Sequence, residues 1–321
     1  MEFIKWEDFR DIWRLRSLGE EVTLWPHIDE QLSGSKWEQI EALDEISLQV
    51  TKSHRPRSTL LGENTSIADI EGNVLKRTGS GSSSNVLIPP AAVDGHKKNV
   101  RYPKTNEDLK RLLRTSEGYS WIVQELAPHL LRLGEWRVVF CGGRISYIVH
   151  TLPTSNPEVW DTNNRVDFLY QGPLFSLTEI KYVSSVFSVY FRTHIFRNIM
   201  DSNPDWHSDD ITDRIWGGLD SKSNKELEDF AQKTYDALLE RDRNKYGHEF
   251  LAIQLWCRID VGIIDVPGED RLDFFVNEVE KFQSTHLFGK VDGNHLHPIE
   301  TLADECALVM TKFMEEKYVI H

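Results

Sequence analysis

The sequence predicts an α+β fold in which antiparallel hairpins alternate with amphipathic helices. Three observations predict it. Two pairs of β-rich segments flank turn clusters, Glu135–Cys141 and Arg144–Thr151 around Gly142-Gly143, and Arg258–Gly262 and Phe274–Glu280 around Asp265–Asp270. Capping boxes, Ser35-x-x-Glu38 and Ser223-x-x-Glu226, stand ahead of apolar residues at three- and four-residue spacing. The chain has 321 residues, 40% hydrophobic and 27% charged, which suits a soluble protein with a sizeable core.

A formal net charge of −14 argues against nucleic acid or an anionic membrane as the main partner, while leaving room for a local basic pocket. The three cysteines, Cys141, Cys257 and Cys306, are odd in number and lack metal-ligand spacing. Reduced thiols in a cytoplasmic protein are expected. Asn64-Thr65-Ser66 matches a glycosylation sequon with no signal segment ahead of it, and no stretch is apolar for a bilayer's width. There is no repeat of fixed period.

In chain order, Phe3, Trp6, Phe9 and Trp13 form a helical packing face, and a second helix after Ser35 carries Ile40, Leu43 and Ile46. A short strand is expected at Thr59–Leu61. The strand Asn73–Arg77 then runs through Lys76 into Gly79-Ser80-Gly81-Ser82-Ser83-Ser84. Small residues let backbone N–H groups approach a phosphate, although a Gly/Ser run by itself is more often a linker. Lys76-Arg77 shifts the balance toward phosphate. Thr105 opens a helix with Leu109, Leu112 and Leu113 inward, and Trp121–Leu126 reads as a buried strand. In the first hairpin, period two sets Glu135 and Arg137 opposite Trp136, Val138 and Phe140. Residues 152–222 read as a long insertion, lid-like or bland. The helix after Ser223 buries Leu227, Phe230, Ala231, Tyr235 and Leu238, and a last helix from Thr301 carries Cys306, Val309, Met310 and Phe313.

The second hairpin concentrates the chemistry. Alternation puts Arg258 with Asp260, and Glu278 with Glu280, so a cation and three carboxylates meet if the two faces coincide. Carboxylates that close require a divalent cation or a shared proton. Ile259, Val261, Ile263, Phe275 and Val279 are expected on the reverse face, which weakens the competing reading of a solvated charged surface. Asn277 is expected to point away from Glu278. No histidine, including His129, His150, His248 and His295, stands at metal-binding spacing from a Cys or another His.

This ordered set, a strand lysine before a Gly/Ser loop, Val-Gln-Glu-Leu, Glu-x-Arg, Arg-Ile-Asp-Val and Glu-x-Glu, resembles the ATP-grasp superfamily of glutathione-synthetase-like, carboxylate-amine ligase type. The resemblance spans about residues 58–315. It implies two α+β lobes with antiparallel sheets enclosing a nucleotide cleft, after a reduced helical N-terminal region. The implied division is 1–57 helical, 58–125 small lobe, and 126–321 large lobe with an insertion at about 152–222. It further implies that Lys76 and the loop of Gly79, Ser80, Gly81 and Ser82 hold the phosphates of ATP. Gln124, Glu125 and Leu126 would meet adenine, Glu135 would help bind the nucleotide, and Arg137 and Arg258 would be catalytic. Asp260, Glu278 and Glu280 would bind Mg2+, although the family's metal strand carries Asn where this chain has Glu280. The implied reaction joins a small-molecule or peptide carboxylate to an amine through an acylphosphate, releasing ADP and phosphate. A small-molecule kinase and an ATP-binding assembly protein, as in the cell-division-cycle chaperones of a translation initiation factor, are the alternatives.

Overall fold

The two expected hairpins sit side by side in one antiparallel sheet. Strands β5 (Glu135–Cys141), β6 (Arg144–Pro153), β7 (Val166–Gln171), β8 (Trp256–Asp265) and β9 (Leu272–Lys281) run in the order β7-β6-β5-β8-β9. A second sheet of four strands has the order β1-β4-β2-β3, from β1 (Ser58–Leu60), β2 (Val74–Arg77), β3 (Val86–Leu87) and β4 (Trp121–Gln124). Both sheets are antiparallel throughout, as an α+β chain requires. The computed structural model describes residues 30, 35–78, 86–92, 102–115, 119–133, 135–153, 166–171, 222–247, 250–269, 271–281, 306–313 and 315. The expected helix over Phe3–Trp13, the Gly79–Ser84 loop, His248, His295 and most of 152–222 lie outside these residues.

Local sequence explains each joint. Gly142 and Gly143 have φ of +58° and +79°, so both central residues of the β5–β6 turn take the left-handed conformation that glycine adopts without strain. Helix α1 (Lys36–Ile46) starts at Ser35, whose hydroxyl accepts from Glu38 N at 3.2 Å. The reciprocal half of this capping box is not made, because Glu38 pairs with Lys245. After α2 (Ile67–Ile70), helix α3 (Asn106–Arg114) starts at Thr105, which accepts from Asp108 N at 3.1 Å. Ser223 is not the cap expected of it: α5 (Lys222–Tyr246) already includes it. The stretch read as an insertion also begins as sheet, since β6 runs to Pro153 and β7 pairs with it.

Apolar residues on α3 and the small sheet form one core, with Leu75, Leu109, Trp121 and Val123 buried together. The larger core lies between the large sheet and α5, where Trp136, Val138, Phe140, Ile259, Val261 and Ile263 meet Leu227, Ala231, Tyr235 and Leu238. The opposite face of that sheet is covered at one end by α4 (Pro128–Leu133), through Leu130 against Ile264 and Phe275. At the other end, the helical residues 306–313 place Cys306, Val309, Met310 and Phe313 against Val139, Cys141 and Trp256. Between these two covers the face carries charge.

Candidate functional site

Strand register builds this charged strip. Arg137 on β5 stands opposite Asp260 on β8, Asp260 opposite Glu278 on β9, and Arg258 opposite Glu280. The two hairpin faces therefore coincide. A register shift between Asp260 and Val261 places an extra residue on β9, because Asp260 pairs with Glu278 while Val261 pairs with Val276. The unpaired residue is Asn277. A β-bulge turns its residue out of strict alternation, and Asn277 joins the charged face: its amide donates to Glu135 Oε2 at 3.0 Å, and its carbonyl oxygen accepts from Lys76 Nζ at 3.0 Å. The expected reverse orientation of Asn277 is thus corrected. The same shift moves Phe275 to the charged face, opposite Gly262 and against Leu130, instead of into the α5 core with Ile259 and Val279.

Lys76 reaches this face from the other sheet. In β2 its neighbours Leu75 and Arg77 point away from it, Leu75 into the small-sheet core and Arg77 over the ring of Tyr119. Lys76 is 9% exposed, and Asn277 accepts its one hydrogen bond among the described residues. Burial, and then the charge of Lys36, lower its pKa to about 8. The cleft between the sheets is therefore spanned by the chain Lys76–Asn277–Glu135–Arg137, with Arg137 Nη2 donating to Glu135 at 3.0 Å.

Two of the three carboxylates of the metal reading, Asp260 and Glu278, are each paired with a cation. Asp260, 1% exposed, accepts from Arg258 Nε at 2.7 Å and Nη2 at 2.8 Å. Burial raises the Asp260 pKa and Arg258 pulls it back, while burial opposes and Asp260 more than offsets the charge on Arg258, whose pKa rises. The Arg258 Nη1 atom is buried with no hydrogen-bond partner among the described residues. Glu278 pairs with Lys36 Nζ at 2.6 Å. Burial works against its ionised form, but Lys36, Lys76 and Arg258 together hold its pKa below the ordinary carboxylate value. Glu280 completes the row opposite Arg258. Among the described residues, no three His, Cys, Asp or Glu side chains stand at metal-holding spacing.

Sequence reasoning missed Lys36. It sits in the first turn of α1, and nothing local distinguishes it from a solvated helix residue. Its place depends on Gln39 one turn later, whose side-chain amide donates to Val279 O at 2.5 Å and accepts from Val279 N at 3.1 Å. β9 is the sheet edge, so Gln39 occupies backbone groups that a further strand would otherwise pair.

The remaining site candidates lie where the chain passes between sheets. Gln124 ends β4 with its amide donating to Ser58 Oγ at 2.9 Å. Glu125 N donates to Arg57 O at 2.8 Å, and Arg57 N donates to Glu125 Oε2 at 3.3 Å. Leu126 follows, half-buried, and leads into α4. Gly79, Ser80, Gly81 and Ser82 fall outside the described residues, directly after the strand that carries Lys76.

No family model matches the chain, and no curated protein matches it. Among solved structures the chain is similar to the D-cycloserine synthetase DcsG, at 16% identity and a TM-score of 0.45, over 88% of this chain and 71% of that one. It is also similar to the D-alanine–D-alanine ligase of Bacillus anthracis complexed with ATP, at 12% identity and a TM-score of 0.39, over 88% of this chain and 67% of that one. A third is the ATP-grasp ligase PsnB complexed with a phosphomimetic variant of its minimal precursor, Mg and ADP, at 11% identity and a TM-score of 0.43, over 95% and 72% of the respective chains.

Proposed function

We propose that this chain is an ATP-grasp ligase, in which the small sheet and the large sheet close on Mg-ATP and a carboxylate is joined to an amine. The observation that carries the reading is the meeting of Lys76 from one sheet with the Asn277, Glu135, Asp260 and Glu278 face of the other. A buried ammonium with donors to spare suits a phosphate, and the carboxylates beside it suit the cation that accompanies one. The lobe division at 57/58 and 125/126 is part of the same reading.

The donor set fits magnesium. Mg2+ takes hard oxygen ligands and uses only one or two carboxylates when phosphates supply the rest, so Asp260 and Glu278 suffice without a three-acid cluster. Glu280 or the Asn277 amide could complete the set. Bound there, the ion would neutralise phosphate charge. The chain's own residues do the remainder. Arg258 and Lys36, paired with Asp260 and Glu278 on the same face, are the cations that would meet phosphate oxygens or an acceptor carboxylate. Arg137 fixes Glu135, which in turn orients Asn277 against Lys76. The acid would attack the γ-phosphorus, giving an acylphosphate and ADP, and the amine would then displace phosphate; catalysis is positioning and charge neutralisation.

ADP release measured with acid and amine supplied separately and together tests the reaction. A ligase releases ADP only with both. Release with a hydroxyl acceptor alone would identify a kinase, and tight nucleotide binding without release in any combination would identify a binding protein. Asp260→Asn and Glu278→Gln keep the side-chain volumes and should each lower turnover at least about a hundredfold. Wild-type rates in both would remove these residues from the site.

A further inference from the structure

Two of the three cysteines meet where the last helical segment lies on the large sheet. Cys141 ends β5, and Cys306 stands on the helical residues 306–313, 165 positions later in the chain. Their Sγ atoms are nevertheless 3.6 Å apart, and both residues are thiols. Cys141 is buried at 7% exposure, while Cys306 is only half-buried.

Packing holds the pair in place. One turn after Cys306, Val309 presses on the β5–β6 turn so closely that a Cβ on Gly142 would stand 2.7 Å from Val309 Cγ2. Two turns after Cys306, Phe313 stacks on Phe250 with ring centroids 4.3 Å apart. A helix seated at both ends keeps the two sulfurs at a high effective concentration, and a bond between them needs only about 1.5 Å of further approach. The third thiol is arranged differently. Cys257 on β8 is fully buried in the core against α5, on the other side of the sheet, and burial pushes its thiol pKa up.

We propose that Cys141 and Cys306 form a reversible oxidation site, at which a peroxide converts the thiol pair to an intrachain disulfide. Cys306 reacts first because it is the more exposed. Its sulfur attacks a peroxide oxygen, the O–O bond breaks, and the thiol proton leaves with the departing oxygen as water. The Cys141 sulfur then attacks the sulfur of the resulting sulfenic acid, the S–O bond breaks, and the Cys141 proton leaves with that oxygen as a second water. Two thiols have lost two electrons and two protons, and one hydrogen peroxide has become two waters. The bond ties residues 306–313 to the end of β5, and these residues cover one end of the sheet face that carries the charged strip. Closing so long a loop constrains the unfolded chain, so the oxidised protein is the more stable form.

The full chain is treated with hydrogen peroxide under native conditions, alkylated, and examined by intact mass, by peptide mapping without reductant and by thermal melts. A single chain lighter by two hydrogen atoms is expected, with a peptide joining Cys141 to Cys306 and with Cys257 unreacted until the chain is unfolded. The oxidised chain should melt higher than the reduced one, and dithiothreitol should return both mass and midpoint. Cys141→Ser and Cys306→Ser should each abolish the crosslink and the shift, although the wild type alone decides whether the bond forms. Oxygen atoms added to Cys306 beside an intact Cys141 thiol would overturn the proposal, as would an unaltered mass, a disulfide between two chains or a crosslink through Cys257. A Cys141–Cys306 bond that lowers the midpoint would overturn the tie, because the helix would then have left its seat to make it.

Discussion

Lys76 carries the sharpest consequence at the scale of single residues. Its pKa falls from the model-peptide value of 10.5 to about 8 because burial penalises the ammonium. The sign follows directly. Below about pH 8 the folded chain holds a charged Lys76 and can bind an anion there; as pH rises through about 8 that charge is lost. Affinity for Mg-ATP in the wild type is therefore expected to weaken above pH 8, and Lys76→Met should be weaker at all pH and flat through this range. Stability runs the other way. Between about 8 and 10.5 the unfolded chain binds a proton at Lys76 that the folded chain has released, so folding gains as pH rises across that window. A wild-type binding profile as flat as that of Lys76→Met would separate Lys76 from the ligand. Asn277 matters for the same reason, since it accepts the hydrogen bond that holds this ammonium in the cleft.

At the scale of elements, the β8–β9 hairpin decides what a reader of the sequence can see. Period-two alternation correctly placed Arg258 with Asp260 and Glu278 with Glu280, because the ladder is unbroken from Cys257–Lys281 to Asp260–Glu278. It failed one residue earlier, where the bulge resets the phase and sends Asn277 and Phe275 to the face opposite the one expected. The available signal was the run Phe274-Phe275-Val276, which one apolar face cannot absorb; it is buried because α5 covers one side and α4 the other. Lys36 carried no signal at all, since it acts through a contact far away in sequence, with Glu278. The seat of Phe275 on this face depends on Gly262 opposite it. A Cβ there would stand 2.6 Å from Leu130 Cδ2 and 2.8 Å from Phe275 Cε1. Gly262→Ala should thus push α4 and Phe275 off the sheet and cost about 1–3 kcal/mol in denaturant unfolding. An unchanged midpoint would mean that Phe275 is not packed against this position.

At the scale of the molecule, the distribution of charge matters more than its total. A chain of net charge −14 gathers Lys36, Lys76, Arg137 and Arg258 about the face where the two sheets meet, and all but Lys36 are buried. Arg137 and Arg258 pair with carboxylates of their own strands, Lys36 ties α1 to Glu278 on β9, and among the described residues Lys76–Asn277 closes the two sheets on each other. Such closure is weak by construction, because buried pairs recover little beyond their desolvation cost. A polyphosphate with its metal would replace these contacts with stronger ones reaching both sheets at once, and would stabilise the two sheets jointly. Ligand that binds only the folded chain adds about 2.7 kcal/mol at one hundred times its Kd. Mg-ADP at that ratio is expected to raise the unfolding midpoint accordingly, and to slow amide hydrogen exchange in β2 and β4 together with β8 and β9. Slowing confined to β8 and β9 would mean that the ligand sits on the large sheet alone, and the cleft would then not be the binding site.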